Sequence, residues 1–319
     1  ARMLARAVPP ALWFVVLRNY ATALARSAAV GWIMVAAVAV NFGLNYTLVY
    51  GRFGLPALGV TGAGIGTTLV NWGMFACLAV ALRRDERLSA YRLRLIPRQV
   101  DRPLLRDLFR LGAPVALTQI VGGAMFSCAA VLVGIISAST LAAQQIVYSV
   151  LYLALSAAGG LADAVRVRVA FRVGRADIPA ARASARIALT MTVAATLLAC
   201  CCLWLAPEPL VSIFLDTGSA ENREVLAIAI SLSAGAGLFL LLDGTQMVLA
   251  NALRGLRDTR SPLWVALIGY WGGGLGSGTL LCFVFDLGAR GLWWGLVAGV
   301  VLCDALLLRQ LRRRFRVLE

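Results

Sequence analysis

The feature that most limits what this chain can fold into is a series of continuous apolar blocks separated by short arginine-rich stretches. About 20 apolar residues in a helix cross the hydrocarbon core of a bilayer. In lipid, every backbone N–H and C=O must be bonded within protein, so only helices and closed barrels span. The blocks do not alternate apolar with polar, which excludes a barrel and leaves an all-α polytopic membrane protein. Composition agrees: 61% of the 319 residues are hydrophobic, against about 45–50% in a soluble domain. Nine spans are predicted, at roughly 8–25, 28–50, 59–82, 111–136, 141–165, 186–206, 225–252, 262–285 and 288–308. Arg18 and Asn19 interrupt the first and make it the weakest.

The basic residues orient these spans. All 30 are Arg, and the net charge is +15. They punctuate the apolar blocks instead of forming one face, so a nucleic-acid partner is excluded. One set of 25 comprises Arg18 and Arg26, then the groups from Arg83 to Arg110, Arg166 to Arg186, Arg254 to Arg260 and Arg309 to Arg316. The other set is Arg2, Arg6, Arg52, Arg223 and Arg290. The two sets alternate strictly along the chain. The positive-inside rule puts the larger set, and the C-terminus, in the cytoplasm. Residue 1 then lies near the outer face.

Residues 83–110 hold Pro97 and Pro103 and divide the chain. Residues 1–82 carry three helices, 83–110 form a cytoplasmic linker, 111–308 carry six helices, and 309–319 form a basic tail. Leu104, Leu105, Leu108 and Leu111 predict a helix lying on the membrane surface. Pro207-Glu208-Pro209 opens a second interfacial segment. A faint repeat at an offset of 232 places Asn19 on Asn251, Trp32 on Trp264 and Gly59 on Gly291. It pairs the first three spans with the last three and implies about 120 residues, or three spans, ahead of residue 1. Twelve spans in two lobes around a midplane cavity is a common transporter plan. The opening Ala1-Arg2-Met3 likewise predicts a truncated front.

Chemistry-bearing residues are few. There is no His, and all seven Cys fall inside apolar blocks without metal-site spacing. A zinc, haem or His-based catalytic site is therefore excluded, and no cofactor is expected. No nucleophile–base pair, carboxylate dyad or phosphate-binding loop occurs, so an enzyme is not expected. Charges at membrane depth are costly and mark places that water or substrate reaches. Only Asp243 lies well inside a span. Neutral, or held ionised by a cation or partner, it suits a proton or sodium relay; alternatively Thr245 or Gln246 caps it, or it pairs across the bundle. Asp163 and Asp304 lie nearer span ends and are predicted to pair with Arg166 and Arg309.

Asn41 and Asn45 share one face of the second span, and Thr67 lies in the third. Their oxygens can serve a cation or hydrogen-bond to a neighbouring helix. Gly272, Gly273, Gly274, Gly276 and Gly278 have no preceding strand and no following Lys-Ser/Thr, so they predict close packing or a bend, not a nucleotide loop. Tyr270, Trp271, Trp293 and Trp294 predict packing or interface anchors ahead of a drug cage.

Several stretches resemble exporters of the multidrug and toxic compound extrusion (MATE) family, in its NorM-like branch. They are Asn41–Gly64 (NFGLNYTLVYGRFGLPALGVTGAG), Gly112-Ala113-Pro114, Leu141–Ile146 (LAAQQI), Arg168–Gly174 (RVAFRVG), Leu253–Arg260 (LRGLRDTR) and Tyr270-Trp271. They cover the chain end to end. The resemblance implies twelve spans, two lobes and a cavity alternating between cytoplasm and outside. It implies antiport of cationic or amphiphilic compounds for protons or sodium across a bacterial inner membrane. The lipid bilayer and small organic cations or amphiphiles are then the partners, with no obligate protein partner evident. By position, Asp243 matches the family's acidic residue on the tenth span. Asn41, Asn45 and Thr67 match first-lobe residues assigned to cation or proton handling. Tyr270 joins them as a candidate.

Departures stand beside the match. Many members carry Glu on the seventh span where this chain has Gly122. Gln119, one turn earlier, supplies an oxygen without a charge. The usual eighth-span Pro is Ala158, an eleventh-span Pro is Gly276, and Asp163 and Arg166 replace small or neutral residues. The single intramembrane acid favours protons over sodium. Two other readings are a flippase of lipid-linked precursors and a truncated membrane protein without transport. A flippase would need a strongly basic cavity, whereas Arg is confined here to span ends and loops. Reporter fusions test the topology: those at Glu319 and Ser89 should behave as cytoplasmic and one at Ser219 as external. A cytoplasmic signal at Ser219 rejects the span assignment.

Overall fold

A computed structural model describes residues 2–24, 26–52, 56–85, 101–215 and 222–319. Arg87, Arg92, Arg94, Pro97 and Arg98 of the expected linker lie outside the described residues, as do 53–55 of the first signature stretch and the reporter positions Ser89 and Ser219. Among the described residues all regular structure is helical. The elements are α1 (Arg2–Ala23), α2 (Ser27–Tyr50), α3 (Gly59–Arg84), α4 (Arg102–Ile136) and α5 (Ala138–Gly174). They continue with α6 (Ile178–Leu205), α7 (Pro207–Ser212), α8 (Arg223–Gly255), α9 (Arg260–Val284) and α10 (Gly288–Leu318). Eight of these are long and apolar enough to cross a membrane: α2 to α6 and α8 to α10. The first predicted span is helical as α1, but it is not among the eight; Arg2, Arg6 and Arg18 dilute its apolar character.

One predicted break is absent, and the expected basic tail is helical. The leucine stripe from Leu104 to Leu111 is the opening of α4, not a separate surface helix. Asp101 caps that helix, its side chain accepting from the Leu104 N–H at 3.2 Å, and Pro103 sits in the first turn, where no N–H is missed. Residues 309–318 likewise continue α10. In both places Leu, Arg and Phe propagate a helix already nucleated, and neither Gly nor Pro stops it.

The chain divides into two compact units, Ala1–Val100 and Asp101–Glu319. In the first, α1 and α2 pack on α3 through a small core that includes Phe14, Leu17, Leu78 and Leu82. Arg26 closes it with an ion pair to Asp85 at 2.7 Å. In the second unit α8 lies against α5, α6 and α10. Four rings from four helices close on one another there. Phe126 meets Tyr148 and Phe239 edge-on at 5.3 and 5.9 Å, and Trp293 meets the same two rings at 5.5 and 5.9 Å. Trp293 is 1% exposed, so of the expected anchors it is the packing one. Gly235 on α8 gives it room, since a Cβ there would lie 3.0 Å from Trp293 Cβ. Outward faces carry bare apolar side chains: Trp32, Val38, Phe42 and Val60 are each over 70% exposed. A patch of that kind is untenable in water and ordinary against lipid.

The glycine cluster settles how α9 meets α10. Along α10, Gly291, Gly295, Gly299 and Cys303 recur every four residues and form one stripe. A Cβ on Gly295 would overlap Gly278 Cα, and one on Gly299 would lie 2.5 Å from Gly269 O and Gly274 Cα. Backbone therefore touches backbone along this seam, as small residues allow in lipid. On the α9 side the helix widens to the i→i+5 pattern over Leu267–Gly276 and Leu280–Val284. Such widening is rare beyond one turn and frequent at functional sites.

Two inter-helix turns share one device. After α5 and after α8, a residue with positive φ (Ala176 at 57°, Arg257 at 61°) ends the helix. The next N–H, of Asp177 or Asp258, returns to a carbonyl five residues back at 3.0 Å. That Asp then caps the following helix, accepting at 3.1 Å from the N–H of Ala180 or Ser261. Asp258 does more. It is 4% exposed and also accepts from the Ser261 hydroxyl, the Gln310 amide and the Arg314 Nε at 2.8, 3.2 and 2.8 Å. It thereby fastens the end of α10 to the α8–α9 turn. Burial pushes its carboxyl up, but the hydrogen bonds from Ser261, Gln310 and Arg314 outweigh it and hold the pKa below the usual value.

Two stability measurements follow from these contacts. Gly295→Leu should force α9 off α10 and cost at least about 1–3 kcal/mol, seen as a lowered melting temperature. Gly272→Ala, with nothing within 4 Å of the new Cβ, should leave it unchanged. Because the Asp258 pKa is depressed on folding, its contribution is full above the usual carboxylate value of about 4 and is lost as pH falls through the depressed value. The melting temperature should drop on acidification through that range. Asp258→Asn should be less stable at neutral pH and show a shallower acid drop; an unchanged pH profile rejects the role given to Asp258.

Candidate functional site

Within the second unit a cavity of about 610 Å³ runs between α4, α5, α8 and α9. Helical periodicity builds its walls. On α8, Phe239, Asp243, Gln246, Met247, Ala250, Asn251 and Arg254 fall on one stripe, about 22 Å long at 1.5 Å per residue. Phe126, Tyr148 and Phe239, members of the four-ring core, line one end. Asp163 and Arg254 line the other.

Asp243 stands one turn along the α8 stripe from Phe239, near the aromatic end, and is 6% exposed. Its Oδ1 accepts from the Tyr270 hydroxyl at 3.0 Å, and the same hydroxyl lies 3.0 Å from Gln246 Oε1. One phenolic hydrogen cannot serve both acceptors. The conflict resolves if the Gln246 amide is turned so that its NH₂ donates to the phenol. The tyrosine comes from the widened stretch of α9, and Gly122 on α4 leaves space beside it. A Cβ on Gly122 would meet only the Tyr270 ring, at 3.9 Å. Trp271 Nε1 donates to the Val121 carbonyl at 3.3 Å and ties α9 to α4 at this level. Gln119 lines the same wall one turn away.

Some expectations change. Thr245 does not cap Asp243. Its hydroxyl lies 2.7 Å from Leu242 O on its own helix and 2.6 Å from Asp304 Oδ2 on α10. Asp304 is accordingly not paired with Arg309: five residues on a helix turn through about 140°, which points the two side chains apart. The other oxygen of Asp304, Oδ1, is enclosed without a hydrogen-bond partner. Asp163 does meet Arg166, at 3.3 Å, at the cavity mouth. In the first unit, Asn45 Nδ2 donates to Asn41 Oδ1 at 2.9 Å, and Thr67 donates to Ala63 O on its own helix at 2.9 Å. Asn45 Oδ1 is left enclosed and unpartnered against Gly66.

Residues that the sequence did not flag complete the site. Gln144, fully buried, donates to the Tyr148 hydroxyl at 3.2 Å, while its Oε1 has no partner. Its signal was present in the Gln-Gln pair of an apolar block and in the spacing of four to Tyr148. Asp304 was visible as an acid but was assigned to the wrong neighbour. The four-ring cluster had no signal, because its members lie on four separate helices.

Comparison with known proteins places this architecture. The MatE family model matches residues 114–275. A Pseudomonas aeruginosa protein described as a probable multidrug resistance protein NorM is 37% identical over 300 residues, covering 94% of this chain and 61% of its own. A Mesorhizobium japonicum protein of the same description is 36% identical over 319 residues, covering 99% and 68%. The chain thus spans about three fifths of the length of the first of these relatives. Among solved structures, a eukaryotic MATE transporter superposes with a TM-score of 0.81 at 22% identity, covering 97% of this chain and 70% of its own. A MATE structure in a bent conformation gives 0.82 at 18% identity, covering 99% and 69%. These two show the fold.

Proposed function

The chain belongs to the MATE family, and on that premise we propose that it works as a secondary antiporter of the bacterial inner membrane. It exports cationic or amphiphilic compounds in exchange for protons, with its C-terminus in the cytoplasm. The observation that carries this reading is Asp243, a carboxylate buried among membrane helices on the wall of an aromatic-lined cavity. Aromatic faces accept flat apolar bodies and attract cations, and a carboxylate supplies the opposite charge. Substrate and coupling ion then compete for one group. When Asp243 is protonated the cation leaves, and when the proton is lost the cavity draws the next cation in.

Two features support protons over sodium. Sodium needs several oxygen ligands to replace its hydration shell. Gly122 stands on the wall where a second acid would face Asp243, and the hydrogen bond Asp243 makes is to Tyr270, which also meets Gln246. The second feature is a hydrogen count. Thr245 has one hydroxyl hydrogen and two oxygens within 2.7 Å. Thr245 can donate to Leu242 O while a proton on Asp304 bridges to the Thr245 oxygen, and Asp304 Oδ1 has no hydrogen-bond partner among the described residues. On this reading Asp304 is a second acid able to hold a proton, behind α8. In the first unit, Asn41, Asn45 and Thr67 carry no acid; their part in the proposal is to offer oxygens to a cation or a hydrogen-bonded proton carrier, and Asn45 Oδ1 has no hydrogen-bond partner among the described residues. A lipid-linked precursor flippase fits less well, since the one Arg lining the cavity, Arg254, shares it with Asp163 and Asp243.

Ethidium efflux from cells expressing the protein tests this reading. Asp243→Asn should abolish or strongly reduce efflux with membrane insertion intact, because it removes the ionisable group and keeps the shape. Wild-type efflux from that variant ends the case for Asp243. Efflux that follows an imposed sodium gradient at constant pH, and ignores a proton gradient, rejects proton coupling. Gly122→Glu should raise sodium sensitivity, since the new carboxylate has open space beside Tyr270.

A further inference from the structure

At the arginine-rich end of the second unit, two apolar grooves flank α10. The first, about 400 Å³, lies between α6, α8 and α10 and is walled by Leu189, Val248, Leu249, Leu308 and Leu311. Arg182, Arg186, Arg312 and Arg316 edge it. The second, about 810 Å³, lies on the other flank of α10 against α9 and is walled by Trp264, Val265, Ala305 and Leu306. Arg309, Arg312, Arg313 and Arg316 edge that one. Arg312 and Arg316 border both grooves and form a basic ridge between them.

The ridge is short of counter-charge. Arg182 pairs with Glu319 at 2.9 Å and covers the Phe315 ring at 5.6 Å. Arg186, Arg309, Arg312, Arg313 and Arg316 have no carboxylate partner among the described residues. Several guanidiniums at one helix end repel one another unless an anion lies between them. The apolar walls begin about one turn deeper than the arginines, as with Leu189 after Arg186 and Leu308 before Arg312. That sequence of charge, then apolar wall, matches the boundary between lipid headgroups and acyl chains. A free phosphate would meet the charges and leave both grooves empty. A nucleic acid would meet the charges and leave apolar walls against water.

We propose that this ridge and its two grooves bind an anionic lipid with two phosphates, of the cardiolipin type. The phosphates lie against Arg312 and Arg316, and the acyl chains descend on both flanks of α10. The duplication of grooves about one ridge selects a lipid with two phosphates and chains for both sides over a single-phosphate lipid. The site stands apart from the Asp243 cavity, shares no lining residue with it, and does not depend on the antiport reading.

Native mass spectrometry of the purified chain, released from micelles doped with cardiolipin, phosphatidylglycerol or phosphatidylcholine at equal phosphate, tests the proposal. Cardiolipin should be retained at about tenfold lower concentration than phosphatidylglycerol, and phosphatidylcholine should not be retained. The Arg312→Gln/Arg316→Gln variant should lose the cardiolipin preference. The Arg312→Lys/Arg316→Lys variant, with an unchanged melting temperature, should keep most of it, which separates loss of charge from loss of fold. Arg52→Gln, in the first unit, should change nothing. Retention of phosphatidylcholine equal to cardiolipin, or full cardiolipin retention by the double Gln variant, overturns the site. So does displacement of the lipid by inorganic pyrophosphate at comparable concentration, since the acyl grooves would then contribute nothing.

Discussion

Lipid offers no hydrogen bonds, and the rest of this molecule depends on that. Each backbone amide must find its partner inside its own segment, so the apolar blocks become helices before any tertiary contact forms. The charged residues then collect where the blocks end. Caps such as Asp101, Asp177 and Asp258 use the same rule at the margins, supplying oxygens to N–H groups that a helix start leaves open.

Once helices stand in lipid, the hydrophobic effect no longer drives them together, because an acyl chain is as apolar as a leucine. Contact area and directed polar groups take over. The glycine stripe of α10 permits backbone contact with α9, and the widened turns of α9 fit that stripe while bringing Tyr270 across to Asp243. Packing and chemistry are therefore joined in one element. The four-ring cluster plays the complementary part, filling the interior where α4, α5, α8 and α10 meet and forming one end of the cavity.

Polar groups inside the second unit fall into two kinds. Asp258 is saturated: every neighbour donates to it, and its work is to hold a turn. Asp243 and Asp304 are sparsely bonded, the first by a tyrosine and the second by one threonine. A buried polar group with spare bonding capacity is costly in a static structure. Under the proposed antiport, that spare capacity is what a proton or ligand uses.

The helical spans, their punctuation by arginine, the MATE signatures and the intramembrane position of Asp243 were all legible in the sequence. Each follows from local side-chain cost in lipid or from residue identity at fixed spacing. The continuous helix through Leu104 departs from the sequence expectation of a separate surface helix, since a charge at a span end resembles a break and helix propagation ignores it. What only the tertiary structure decided is which helix faces touch. Tyr270 reaches Asp243 across 27 residues, Thr245 reaches Asp304 across 59, and Trp293 closes a ring with three other helices. These depend on how each helix is rotated about its axis. In water an amphipathic stripe reveals that rotation; in lipid both faces are apolar, and apart from the small-residue stripe of α10 the sequence carries no equivalent mark.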